Sequence, residues 1–114
     1  MPNRDFFIPL EGSVHIGDRI RVSIRTERGS VVDFVAQYEA LIGGRFFAVV
    51  RYDGSHGRGH RDIVDRSGHV IQKDWLSQHR SLAKVLNLDV EDIRTNASAY
   101  RAEFLDRTSL GGGK

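Results

Sequence analysis

The hydrophobic period of this chain changes once, near residue 74, and that change limits the folds open to it. Before it, apolar side chains recur at every second position; after it, at every third or fourth. Period two marks strands with one buried face, and a step of three to four marks an amphipathic helix. The clearest alternation lies in residues 19–27, where Ile20, Val22 and Ile24 point one way and Arg19, Arg21, Ser23 and Arg25 the other. Arg28-Gly29-Ser30 reads as a turn. Residues 31–42 follow as a longer strand with Val32, Phe34, Ala36, Tyr38 and Ala40 on one face. Gly43-Gly44 supplies the positive-φ pair of a two-residue hairpin, so the next strand, residues 45–53, should run antiparallel.

That strand is apolar on both faces, with Phe46, Ala48 and Val50 on one and Phe47 and Val49 on the other. A strand of this kind belongs inside a sheet covered on both sides. C-terminal helices are expected to cover one side. The N-terminal Phe6, Phe7, Ile8 and Leu10, or a second copy of the chain, are expected to cover the other. Residues 60–65 and 69–73 read as two short strands joined through Arg66-Ser67-Gly68, for a total of about five in a meander.

Asp74 is a candidate N-cap for a helix carrying Trp75, Leu76, Leu82, Val85 and Leu86. Asp89-Val90-Glu91-Asp92 resembles a second helix start, with acids where the helix dipole favours them. Val90, Ile93, Ala97, Tyr100 and Phe104 then form one apolar stripe suited to packing on the sheet. The expected fold is α+β: an antiparallel sheet of about five strands followed by one or two C-terminal helices packed on one face. Residues 1–107 are expected to form a single domain and residues 108–114 a flexible tail.

A chain of 114 residues suits one domain with a core of its own. It has no cysteine, which excludes disulfides, thiolate metal sites and a thiol nucleophile. No apolar h-region follows the N-terminus, and runs such as Phe46-Phe47-Ala48-Val49-Val50 are too short to span a bilayer. The expectation is therefore a cytoplasmic protein without membrane contact. Net charge is only +2, but 14 of the 17 basic residues are Arg. Arg forms forked contacts with phosphate and carboxylate, which suits RNA or an acidic partner; a GC-rich coding sequence produces the same bias. Arg19, Arg21 and Arg25 line one strand face and, with Arg58, are candidates for nucleic-acid binding. Such a row is also the ordinary solvated face of an edge strand.

Residues 51–62 concentrate the reactive side chains: Arg51, Tyr52, Asp53, Ser55, His56, Arg58, His60, Arg61 and Asp62, interleaved with Gly54, Gly57 and Gly59. Three chemistries compete there. His56 and His60 could act as general acid and base, with Arg51, Arg58 or Arg61 offsetting negative charge, as metal-free RNA cleavage requires. Alternatively His56, His60 and a carboxylate from Asp53 or Asp62 could hold a metal; His60 and Asp62 share a strand face. A third option is a phosphate on the glycine loop beside Arg58. The structural alternative is a glycine-rich hairpin whose Asp53 and Asp62 bond backbone amides. The first option names His56, His60, Arg51, Asp53, Arg61 and Asp62 as the catalytic set and needs no cofactor or metal.

The run Arg51-Tyr52-Asp53, then His56-Gly57, His60-Arg61-Asp62 and Gly68, resembles a group of small, mostly uncharacterised prokaryotic proteins. Ile93, Asn96, Tyr100, Glu103, Phe104 and Leu105 resemble the closing helix of that group, so the match spans residues 40–106. The loop is also distantly similar to that of TumE-type toxin components, although the paired histidines of that loop are missing here. The resemblance implies a sheet-plus-helix fold and a toxin–antitoxin setting with an antitoxin-like partner; it brings no established activity. Two functions follow as expectations: a toxin-like protein acting on RNA through His56 and His60, or a non-catalytic, dimeric interaction module.

Overall fold

The computed structural model describes residues 3–10, 16–54, 59–76 and 81–112, with side chains through residue 107. Six strands, β1 (Asn3–Pro9), β2 (Arg19–Glu27), β3 (Ser30–Ile42), β4 (Arg45–Asp53), β5 (His60–Val64) and β6 (Val70–Trp75), precede one helix, α1 (Leu82–Gly112). The strands form one sheet in chain order, every neighbouring pair antiparallel. Among the described residues the fold is thus the expected α+β meander, with six strands rather than about five and a single helix. No helix among the described residues is long and apolar enough to cross a membrane.

The extra strand is the N-terminal segment. Instead of covering a face, it pairs with β2 as an edge strand, Phe6 opposite Val22 and Ile8 opposite Ile20. Phe6 and Ile8 therefore reach the core from the sheet's rim, and Phe7 points to the other face. At the β3–β4 hairpin, Gly43 and Gly44 hold φ of +60° and +81°, the left-handed pair that the turn demands.

The apolar run in β4 has a local cause. Tyr38 pairs with Val50 and Glu39 with Ala48, so Val49 is the extra residue of a β-bulge. The bulge breaks the alternation and lets Val49 and Val50 both be buried, while Phe46 stays exposed. Two covered faces are not required. One side of the sheet carries Ile20, Val22, Phe34, Ala36, Tyr38 and Val50 against α1; the other carries mainly polar side chains, with Phe7, Phe46 and Trp75 exposed among them.

Helix α1 is 31 residues long, about 46 Å at 1.5 Å per residue. Ser81 caps it, accepting from Lys84 N–H at 3.3 Å, so neither Asp74 nor Asp89 is an N-cap. Asp74, Trp75 and Leu76 lie before the helix. Asp74 and Trp75 belong to β6, where Asp74 pairs with Arg61 and Trp75 with His60. Asp89 falls inside the helix and is buried. Ile93, Ala97 and Phe104 form the expected stripe, preceded by Val85 and Leu86 and flanked by the half-buried Val90 and Tyr100. A second fastening ties the far end of the helix to the sheet. Asp18, wholly buried, accepts from Tyr38 Oη at 2.6 Å and Arg101 Nε at 3.2 Å.

Candidate functional site

The register of β4, β5 and β6 divides the reactive segment between the two faces of the sheet. Across β4 and β5, Arg51 lies opposite Asp62, Tyr52 opposite Arg61 and Asp53 opposite His60. Across β5 and β6, His60 lies opposite Trp75, Arg61 opposite Asp74 and Asp62 opposite Lys73. Residues directly opposite share a face. Four of the six expected catalytic residues, Arg51, Asp53, His60 and Asp62, therefore stand together on the face that α1 leaves open. Arg61 turns to the helix side instead. His56 lies outside the described residues, as do Ser55, Gly57 and Arg58.

On the open face, His60 Nε2 stands 3.4 Å from Asp62 Oδ2, with side-chain exposures of 17% and 6%. Lys73 Nζ is 3.6 Å from the other oxygen of Asp62, a buried atom that accepts no hydrogen bond. The Trp75 ring meets His60 edge-on at 5.2 Å, and Lys73 Nζ lies 5.7 Å from the Trp75 ring centre. Trp75 is 58% exposed, so a broad apolar surface sits beside the histidine. Arg51 donates from Nε to Gln37 Oε1 at 2.8 Å. In register, Arg21, Gln37, Arg51, Asp62 and Lys73 form one row across five strands.

The three arginines of β2 separate. Arg21 is exposed in that row. Arg19 lies between the rings of Phe7 and Phe46, 3.9 and 3.5 Å from their centres, and donates to Glu39 at 2.8 Å. Arg25 pairs with Asp33 and Glu27. Carboxylates of the protein itself thus engage two of the three. Among the described residues, no three His, Asp or Glu side chains gather closely enough to hold a metal ion.

The helix side carries a separate polar network. Tyr52 Oη donates to Asp92 Oδ2 at 2.5 Å, Tyr100 Oη donates to the same oxygen, and Asn96 Nδ2 donates to Oδ1 at 2.8 Å. Arg61 donates from Nη1 to Tyr100 Oη at 3.1 Å and from Nη2 to Asp74 Oδ2 at 2.7 Å. Burial and the Asp92 hydrogen bond raise both tyrosine pKa values, so the two hydroxyls keep their protons. Burial opposes the charge on Arg61, but its bonds to Asp74 and Tyr100 outweigh this and raise its pKa. Asp74 is held below the usual carboxylate range by hydrogen bonds from Arg61 and Gln72. One turn before Asp92, burial and the Asp92 charge push Asp89 up to about 7.

Arg61 is therefore a clasp between sheet and helix, not a neighbour of His60. Asp74, expected to start a helix, binds it directly, and Asp92, expected within a second helix start, reaches it only through Tyr100. Asp92, Asn96 and Tyr100 recur at four-residue steps beside the apolar stripe, and that polar row is the signal that identifies them. Trp75 and Lys73 join the open face once β6 is recognised as a strand extending through residue 75.

No curated protein and no solved structure matches the chain. A family model described as a domain of unknown function, DUF7718, matches residues 1–110, nearly the whole chain, and the protein therefore belongs to that family.

Proposed function

We propose that this protein acts on nucleic acid as a toxin-like, metal-independent ribonuclease whose acid–base group on the open sheet face is His60. One observation carries the proposal: His60, Asp62, Arg51, Lys73 and Trp75 lie together on the face that the helix does not cover. A histidine steadied by a carboxylate suits general acid–base chemistry near neutral pH. Exposed aromatics between basic side chains suit single-stranded RNA, whose bases stack while the cations meet the phosphates.

In this scheme His60 takes the proton of a ribose 2′-hydroxyl, and the 2′-oxygen bonds to the adjacent phosphorus. The P–O5′ bond breaks to leave a 2′,3′-cyclic phosphate, and the departing oxygen receives a proton from His56. Arg51 and Lys73 offset charge on the non-bridging oxygens. The resemblance to TumE-type toxin components belongs to the same proposal.

Cleavage of a labelled RNA mixture, with and without a chelator, tests it beside His56→Ala/His60→Ala and Asp62→Asn variants. Chelator-resistant cleavage that is lost in the variants is the expected result. Chelator-sensitive cleavage, or none beyond that of the double variant, overturns it.

A hollow of about 520 Å³ at the β1–β2 end favours a second reading, a dimeric interaction module. Phe7, Phe46 and Ile16, the last 90% exposed, line it, and apolar surface of this kind marks interfaces. Sedimentation equilibrium over a range of concentrations checks it: dimer that dissociates on Phe46→Asp supports the module, and monomer throughout refutes the dimer.

A further inference from the structure

On the helix side, away from His60, a groove of about 450 Å³ runs between the β5–β6 edge and α1. Its volume falls within the range of small-molecule sites. Ile63, Ile71 and Ala99 supply apolar walls, and Gln72, Asn96 and Arg107 supply polar ones. The hydrogen bonds of the groove are unevenly used. Asn96 commits its amide N–H group to Asp92, and Gln72 commits its own to Asp74. Their amide oxygens are thereby oriented as acceptors. Arg107 is the opposite case: its Nε is buried without a hydrogen-bond partner, and among the described residues no carboxylate lies at ion-pair distance. A buried donor without a partner is unfavourable, and an oxyanion drawing on the guanidinium offsets that cost.

We infer that this groove binds a nucleoside monophosphate whose base carries an exocyclic amino group. The phosphate pairs with Arg107. The flat base lies against Ile63 and Ile71, and its amino group donates to the amide oxygens of Gln72 and Asn96. Glu103, also in the groove, accepts from ribose hydroxyls and limits the anionic charge that the site takes. The walls are held in place beforehand by the Tyr52–Asp92–Tyr100–Arg61 network, so little ordering accompanies binding.

Calorimetric titration of the full chain with AMP, UMP and inorganic phosphate tests the site. AMP is expected to bind saturably, with UMP about tenfold weaker because its base lacks the amino donor, and phosphate weaker still. Arg107→Met keeps the aliphatic stem and is expected to weaken AMP by at least about tenfold. Ala99→Trp fills the groove from an exposed helix position and is expected to abolish binding; circular dichroism verifies that both variants fold. No saturable binding of AMP overturns the inference. Equal affinity for all three ligands overturns the base recognition, and AMP binding that survives both substitutions overturns the groove as its location. All readouts are independent of RNA cleavage, so this inference and the proposed function fail separately.

Discussion

His60 and Asp62 stand on one face of β5 with Nε2 3.4 Å from Oδ2, while Arg61 between them reaches across the opposite face to Asp74 and Tyr100. Three consecutive residues thus serve two sides of the sheet. The split follows from the pleat alone, since a strand sends successive side chains to opposite faces. When Nε2 carries its proton toward Asp62, Nδ1 holds the lone pair that a general base requires.

Asp62→Asn removes the carboxylate while keeping the shape of the side chain. Single-turnover cleavage of RNA at pH 7 is expected to slow by roughly a hundredfold, the ordinary contribution of a positioned acid–base group. Far-UV circular dichroism should be unchanged.

The clasp on the helix side is a matter of stability. Tyr52→Phe and Tyr100→Phe each remove one hydrogen bond to Asp92 and should cost about 1–2 kcal/mol in urea denaturation. Asp92→Ala leaves the buried Tyr52 and the half-buried Tyr100 without their shared acceptor and should cost more, roughly 3 kcal/mol. The Tyr52→Phe/Tyr100→Phe double variant should depart from additivity, because both hydroxyls share one oxygen.

Asp89 makes stability depend on pH. Its pKa rises on folding from an ordinary 3.8 to about 7, because burial and the nearby Asp92 disfavour the charge. The folded state therefore holds this proton more tightly than the unfolded state. Stability from this group is complete below about pH 4, falls as pH rises, and is lost above about pH 7. Asp89→Asn removes the titration, so the variant's urea midpoint should gain on that of the parent protein between pH 5 and pH 8. An unchanged difference across that range would contradict the assignment.

Gly54 leaves β4 toward the reactive loop, and a Cβ there would sit 2.1 Å from the Phe34 ring. Gly54→Ala is expected to destabilise by roughly 1–3 kcal/mol through overpacking. Phe34→Leu in the same chain should recover part of that loss. A cycle of the two substitutions measures the coupling, and simple additivity would refute the clash.

Much of the architecture was legible because local pattern and tertiary fold agree. The alternation of Ile20, Val22 and Ile24, the Gly43-Gly44 hairpin and the Ile93–Ala97–Phe104 stripe all lie where the periods indicate. The expectation of a helix at Asp74 and Trp75 fails because their pairing is long-range: an ion pair with Arg61 and a ring contact with His60 draw them into β6. Local propensity carries no trace of either contact. The bulge at Val49 hid in an unbroken apolar run, and the N-terminal strand needed β2 beside it to become a strand at all. At the site, the shared face of His60 and Asp62 followed from spacing. Arg61 turns to the other face by the same period, but its partners there did not follow, because Tyr100 and the Asp92 that Tyr100 bonds lie 39 and 31 positions further along the chain.

Trp75 is the sole tryptophan in the chain and sits 5.2 Å from His60 on the open face, so its fluorescence reports directly on that surface. Titration with a single-stranded RNA oligonucleotide is the measurement to make, in low and high salt, with Arg51→Ala beside the parent protein. RNA lying along Arg21, Arg51 and Lys73 should quench Trp75 saturably, with affinity that falls as salt rises and falls again in the variant. Emission that stays constant through the titration, or quenching indifferent to both salt and Arg51, would contradict a nucleic-acid surface on this face.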